Sequence, residues 1–216
     1  MTDVGGPRSR LHHVYWLGGG SGAGKSTIAR RMVDRYGLRL YPTDDVMSDH
    51  VGRCRPDDAP LLREFAAMEM DERWVTRSPE TMLETFHWFE GEGFPHIIDD
   101  LLHLPAEPGV VVEGFRLLPR LVMPYLAARD QAVWLIPTPG FRRAAFAGRG
   151  TLWDIPRRTV APQRALHNLL ERDRLFTERL QDEARRLGLR VIEVDTTMNE
   201  DDLTERVARA FGLRAR

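Results

Sequence analysis

A chain of 216 residues, 42% hydrophobic and with a formal net charge of −1, suits one α/β domain with a small insertion. No apolar run approaches the roughly 18 residues that a membrane span needs, so a membrane partner is not expected. Cys54 is the only cysteine, which excludes an internal disulfide and any cysteine metal cluster.

Met1 to Arg10 is polar and contains glycine and proline, so it reads as a short loose tail and not as a signal peptide; a cytoplasmic location is expected. His13 to Leu17 reads as a strand. A glycine-rich stretch follows, then a helix over Ser26 to Tyr36 with Ile28, Met32 and Tyr36 at helical spacing, ended by Gly37. Leu38 to Tyr41 is a short second strand that stops at Pro42-Thr43-Asp44-Asp45. Between Asp49 and Pro108 no strand signal is convincing, and Leu61, Leu62, Phe65, Met68, Met82, Leu83, Phe86 and Phe89 suggest helices. Phe94, Ile97, Ile98, Leu101 and Leu102 repeat at helical spacing, which puts Asp99 and Asp100 on a solvated face. Gly109 to Glu113 and Gln131 to Ile136 read as buried strands. A long helix spans Gln163 to Leu187, the final strand Arg190 to Val194, and the closing helix Glu200 to Phe211. Five strands alternating with helices imply a parallel sheet covered on both faces, a three-layer α/β/α domain over 1–216.

The chain has thirty arginines and one lysine, and that lysine lies in Gly19-Gly20-Ser21-Gly22-Ala23-Gly24-Lys25-Ser26-Thr27. The stretch matches G-x-x-x-x-G-K-[ST], the phosphate-binding P-loop. A loop whose amides wrap phosphates leaves room for a compact ammonium and not for a planar guanidinium. In this pattern the backbone amides and the helix N-terminus hold phosphate oxygens. Lys25 reaches the β- and γ-phosphates, and the Ser26 hydroxyl ligates Mg²⁺. Glu113, at a strand end, is placed to act on the metal through water, or else is a salt-bridged strand-end glutamate. Asp44 sits where open α/β sheets bind ligands and can accept the proton of an acceptor hydroxyl; the alternative is a helix cap. Asp45 and Arg116 are candidate substrate contacts.

On the long helix, Arg174 has Glu171 and Glu178 within one turn, Arg179 has Glu183, and Arg185 and Arg186 have Asp182. Arg172 has no acid at those spacings. From Gly140 to Arg164 there are six arginines and one acid, so 140–164 reads as a lid whose arginines, Arg149 among them, cover a transferred phosphoryl group. From Leu40 to Pro108 sixteen acids face five arginines, a net −11. An acidic wall repels polyanions, so no nucleic acid is expected there, and a neutral or cationic acceptor is favoured.

This layout resembles the P-loop small-molecule kinases, the group that includes shikimate, gluconate and nucleotide kinases and chloramphenicol phosphotransferase. The likeness rests on Gly19 to Thr27, Asp44, Val110-Val111-Val112-Glu113-Gly114 and the arginine-rich stretch before a long helix. It implies a sheet order of 2-3-1-4-5, ATP and Mg²⁺ as cofactors, Lys25 and Ser26 at the nucleotide and Asp44 at the acceptor hydroxyl. It further implies Arg149 or Arg172 at the phosphates, and Thr196-Thr197-Met198 beside adenine. The segment 49–108 would build the acceptor site. The expectation is an ATP-dependent phosphotransferase acting on a hydroxyl of a small molecule, monomeric or homodimeric. The alternatives are a nucleoside or nucleotide kinase, or an ATP-hydrolysing or ATP-sensing module with no acceptor. A GTPase is disfavoured, since neither Asn168 nor Asn199 lies in an N-K-x-D context.

Overall fold

Strand pairing follows the apolar runs. The computed structural model describes residues 6–147 and 150–213. A short helix α1 (Pro7–Arg10) precedes β1 (Val14–Gly19), α2 (Lys25–Tyr36) and β2 (Arg39–Pro42). Then come α3 (Met47–Arg53), α4 (Pro60–Ala67), a π-helical turn (Glu72–Thr76), α5 (Pro79–Thr85), α6 (His87–Glu90) and α7 (Phe94–His103). The chain continues through β3 (Val110–Glu113), α8 (Pro119–Val122), β4 (Ala132–Pro137) and α9 (Pro139–Ala147). Two 3-10 turns (Gly150–Trp153 and Pro156–Arg158) lead to α10 (Pro162–Arg186), β5 (Arg190–Val194) and α11 (Glu200–Ala210).

The five strands form one parallel sheet in the order β2-β3-β1-β4-β5, with Tyr15 opposite Val111 and Trp16 opposite both Val112 and Ala132. Successive side chains point to opposite faces, so each strand feeds two cores. Val14, Trp16, Val110, Val112 and Trp134 pack with Phe94, Ile97, Ile98 and Leu101 of α7. Leu17, Val111, Val133 and Leu135 pack on the other face with Ile28, Ala29 and Met32 of α2 and Leu203 and Val207 of α11. This two-sided burial is why β3 and β4 lack an apolar/polar alternation. Among the described residues, no helix is long and apolar enough to cross a membrane.

Two features position the site. β1 runs on through Gly18 and Gly19, because these residues pair with Trp134 and Leu135 of β4. A Cβ on Gly18 would lie 2.4 Å from the Trp134 indole nitrogen, and one on Gly19 would lie 2.2 Å from the Leu135 carbonyl oxygen. The strand thus carries the chain past the sheet edge with no side chains in the way. The second feature is the helical segment α3 to α7, pinned to itself by Glu92. Its carboxylate accepts hydrogen bonds from the Leu61 and Leu62 amides, each at 2.8 Å. These are first-turn donors of α4, whose own N-cap, Ala59, has no side chain able to satisfy them.

Candidate functional site

The loop between β1 and α2 depends on its glycines. Gly22 and Gly24 have φ of 81° and 80°, and Gly24 is the left-handed N-cap of α2. These are conformations that side chains with a Cβ rarely adopt. Gly20 donates to the Leu135 carbonyl at 3.1 Å, and a Cβ on Gly20 would meet the Thr177 hydroxyl of α10 at 2.4 Å. Lys25, the first residue of α2, folds back so that its Nζ donates to the Gly20 carbonyl at 2.9 Å. Ser21, Gly22, Ala23, Gly24, Lys25, Ser26 and Thr27 line a cavity of about 130 Å³, and its remaining walls are Asp44 and Phe115.

The structure therefore brings together residues that the sequence places on three separate elements. Pro42 of β2 and Leu17 of β1 flank Glu113 of β3 in register, and the Thr43 amide donates to the Glu113 carbonyl at 2.9 Å. Glu113 is 4% exposed. Burial pushes its carboxyl pKa up, against Lys25 and a hydrogen bond from the Ser26 hydroxyl, while Asp44 adds repulsion. Asp44 is solvent-exposed at the cavity, yet the surrounding protein desolvates its carboxyl enough to raise its pKa, against the pull of Lys25 and Arg116. A hydroxyl, a buried carboxylate, an ammonium and a second carboxylate thus converge on one loop at the carboxyl ends of parallel strands, the edge where such sheets bind ligands. A magnesium ion needs no all-protein cage, and Ser26 in the cavity lining with the Glu113 carboxyl that it acts on fits one held largely by water and phosphate oxygens.

The remaining expected residues are placed differently. Asp45 is exposed and its amide donates to the Pro42 carbonyl. Arg116 is buried at 2% exposure, stacked over the Trp88 ring at 4.0 Å. Its Nη1 and Nη2 donate to the Thr43 and Gly93 carbonyls, each at 3.2 Å. Burial pushes its pKa down to about 10. Arg172 does have an acid: its Nη2 donates to Asp173 Oδ1 at 2.6 Å. Adjacent helical positions do not face each other, but this side chain is folded into a cage of Trp74, Phe86 and Phe89, which turns it toward its neighbour. Phe89 in turn meets Phe115 of the loop cavity at 5.8 Å between ring centroids, so Arg172 stands one ring behind that cavity. Arg149 lies outside the described residues.

The rest of the 140–164 stretch is built and not a bare basic loop. Arg142 of α9 is buried, its Nη2 donating to the Leu170 carbonyl of α10 at 2.6 Å, while Arg143, Arg157, Arg158 and Arg164 are exposed. A cavity of about 490 Å³ lies between α9 and α10, bordered by Arg142, Phe146 and Thr177. It flanks the loop on the Gly22 side, where a Cβ added to Gly22 would stand 3.6 Å from the Phe146 ring. Thr196-Thr197-Met198 forms a turn in which Asp195 accepts from the Thr197 amide at 2.8 Å. Met198 and Asp195 also border an open groove of about 640 Å³ beside β5 and α11.

Several pairings depart from the local expectation. Arg174 does pair with Glu171 and Glu178. Arg179 pairs with Glu90 at 2.8 Å, and Glu183 takes Arg120 at 3.3 Å. Asp100 is not on a solvated face. It accepts from the Tyr41 hydroxyl at 2.5 Å, from His50 Nε2 at 2.8 Å and from Arg53 at 2.6 Å, which ties β2 and α3 to α7. Burial alone would raise its pKa, but these three hydrogen bonds pull it down to about 2. The aromatic residues of α5 and α6 are partly core: Trp88 and Phe89 are buried, and Phe89 stacks on Phe176 at 3.7 Å. His87 is buried between Phe65, Phe86 and Trp88, and desolvation with help from Arg116 lowers its pKa to about 4.

No protein-family model matches the chain, and no curated protein matches it. Among solved structures, an uncharacterized protein from Eubacterium ventriosum aligns over 93% of this chain and 98% of its own, at 14% identity and a TM-score of 0.48. A crystal structure of NadR protein in complex with NR aligns over 97% of this chain, at 13% identity and a TM-score of 0.43. The present chain covers 54% of that second chain. At such identities and scores neither likeness bears on activity.

Proposed function

We propose that this chain is an ATP- and Mg²⁺-dependent P-loop kinase that phosphorylates a hydroxyl of a small molecule. The observation that carries the reading is the convergence of Lys25, Ser26, Glu113 and Asp44 at the loop built by Gly19 to Thr27. ATP would supply the γ-phosphoryl group and Mg²⁺ would neutralise phosphate charge, as the acceptor oxygen bonds to phosphorus and the bridging P–O bond to ADP breaks. The loop amides and the N-terminus of α2 would hold the phosphate oxygens. Lys25 would exchange the Gly20 carbonyl for phosphate oxygens, a compact charge moving a short way on a flexible stem. Ser26 and, through water, Glu113 would hold the metal. Asp44 would take the proton that the acceptor hydroxyl loses, and its raised pKa suits that task better than an ordinary carboxylate would.

Two arginines complete the proposal. Arg172 has one buried nitrogen, Nη1, with no hydrogen-bond partner. It lies five residues before Thr177, whose side chain abuts Gly20, about 7.5 Å along the helix axis. Arg149 belongs to the same charge-stabilising role by its place in the sequence. The enzyme would be cytoplasmic, a monomer or homodimer, and would act on neither nucleic acid nor membrane.

The test is ADP formation measured with and without a panel of nucleosides, sugars, hydroxy acids and hydroxyl-bearing antibiotics. Turnover that needs one of these hydroxyl compounds supports the kinase. ADP formed at one unchanged rate throughout would make the chain a hydrolysing or sensing module.

A further inference from the structure

Asp44 follows directly on a residue that the fold holds from three sides. Thr43 is fully buried. Its amide donates to the Glu113 carbonyl at 2.9 Å, and its carbonyl accepts from Arg116 Nη1 at 3.2 Å. Its side chain lies against Gly114, where an added Cβ would overlap the Thr43 hydroxyl oxygen. A glycine at 114, with φ of 151°, is what makes room for that hydroxyl.

Packing does not explain why this position carries a hydroxyl. Thr43 Oγ1 is shut off from water and, among the described residues, no hydrogen bond satisfies it. A buried hydroxyl in that state costs free energy, and a valine of nearly the same shape would not incur the cost. Nor does Thr43 cap the next helix, since the N-cap of α3 is Val46 and no side chain caps it. The group within its influence is the Asp44 carboxyl. Burial raises the pKa of that carboxyl, and Lys25, Arg116 and the Thr43 hydroxyl pull it back. Asp44 is also a wall of the loop cavity, where its exposed side chain is otherwise free to turn.

We propose, resting on the phosphotransferase reading above, that Thr43 is a positioning residue for Asp44: its Oγ–H donates to one carboxylate oxygen and leaves the other directed at the acceptor hydroxyl. The proton lost by the acceptor goes to that second oxygen as the acceptor oxygen bonds to phosphorus, and Thr43 keeps its own proton throughout. A hydroxyl whose backbone is fixed at both its amide and its carbonyl can restrain a mobile side chain, and a hydrogen bond to a charged acceptor is a strong one. Holding the base in line with its proton is the gain in rate.

The experiment is a double-mutant cycle. Thr43→Val keeps the shape and removes the donor. It should lower kcat about tenfold or more, the scale of a hydrogen bond to a charged group, with KM for ATP and for the acceptor nearly unchanged. Thr43→Ser keeps the donor and should restore most of the loss. In an Asp44→Ala background Thr43→Val should cost little further, because the group that it positions is gone. The same loss with and without Asp44, or a folded Thr43→Val with wild-type kcat, overturns the proposal. Should Thr43→Val fail to fold, Thr43→Ser against Thr43→Ala carries the comparison, and equal losses in the two overturn it. The cycle is also read by urea unfolding, which needs no activity: Thr43→Val should shift the unfolding equilibrium about fivefold further with Asp44 present than in Asp44→Ala. Coupling in the melts with ADP formation that ignores every acceptor leaves the Thr43–Asp44 link standing and sinks the kinase reading; acceptor-dependent turnover with no coupling in either measurement does the reverse.

Discussion

Burial raises the pKa of Glu113, the last residue of β3, and the hydroxyl of Ser26, the second residue of α2, pulls it back down. This interaction relates the end of β3 to the start of α2, where a phosphate-bound cation would need both an oxygen ligand and a nearby carboxylate. Glu113→Gln keeps the shape and the hydrogen-bonding reach but removes the charge. Turnover measured across a Mg²⁺ titration should then need about tenfold more metal for half-maximal rate, as is typical when a group orienting a metal ligand is lost. An unchanged Mg²⁺ requirement would leave Glu113 as a strand-end residue with a structural role.

Lys25→Ala and Lys25→Arg should both abolish phosphoryl transfer, with thermal melting close to that of the parent chain. The arginine variant is the sharper of the two. It preserves the charge and places a planar fork in a cavity of about 130 Å³ that a lysine fills as a point charge. Near-normal rates in Lys25→Arg would contradict the steric argument for the only lysine in the chain.

Asp44→Asn should lower kcat by about 10²-fold or more with little change in ATP affinity, the usual loss for a positioned base. Asp45→Asn, at a position outside the cavity lining, should be nearly silent. A base works only when deprotonated, so activity falls as pH drops through the Asp44 pKa. Since desolvation raises that pKa, the acid limb of the kcat/KM profile should lie above the ordinary carboxylate range and should vanish in Asp44→Asn. A profile with the same limb in both proteins would remove Asp44 from the proton transfer.

Acid should destabilise the fold in two separate windows. His87 has a folded-state pKa near 4 against 6.5 when unfolded, so the unfolded chain takes up the proton first. Stability therefore falls as pH drops from about 6.5 to 4, by about 3 kcal/mol at most. Asp100 has a folded-state pKa near 2 against 3.8 unfolded, so its contribution is complete above the unfolded value and is lost as pH falls from there to about 2. Denaturant melts taken every half pH unit would resolve both. His87→Phe should shrink the upper window, to which His13 and His50, also lowered by burial, add, and Asp100→Asn should shrink the lower; an upper window unaffected by His87→Phe would refute the first assignment.

How much of this was legible in the sequence varies with how local the cause is. The five strands and helices α2, α7, α10 and α11 are apolar runs or helical repeats, so these elements appear at their expected positions within one or two residues, whereas α9 lies in the stretch expected to be a lid. The glycine-rich loop was legible for the same reason, because its backbone demands glycine at Gly22 and Gly24 whatever surrounds it. β1 outran its expected end because Gly18 and Gly19 continue the ladder with β4, and a ladder is made by another strand.

Side-chain partners were a different matter. Glycine spacing and hydrophobic period belong to consecutive residues, so the sequence by itself determined the five strands, the loop and the residues available to it. The order β2-β3-β1-β4-β5 agrees with what the family resemblance implied, and no periodicity in the chain encodes it. Which arginine meets which acid was decided only by the tertiary structure. Long side chains reach across elements, as Arg179 does to Glu90, Arg53 to Asp100, and Tyr41 to Asp100. Arg172 shows the same dependence at the shortest range, since three rings from elsewhere in the chain direct it to Asp173. Charge counted along the chain suggested an acidic wall, whereas packing left most of those acids exposed, kept Asp44 at the cavity and buried Arg116, because a carboxylate with no partner stays in water and a stacked guanidinium can be enclosed.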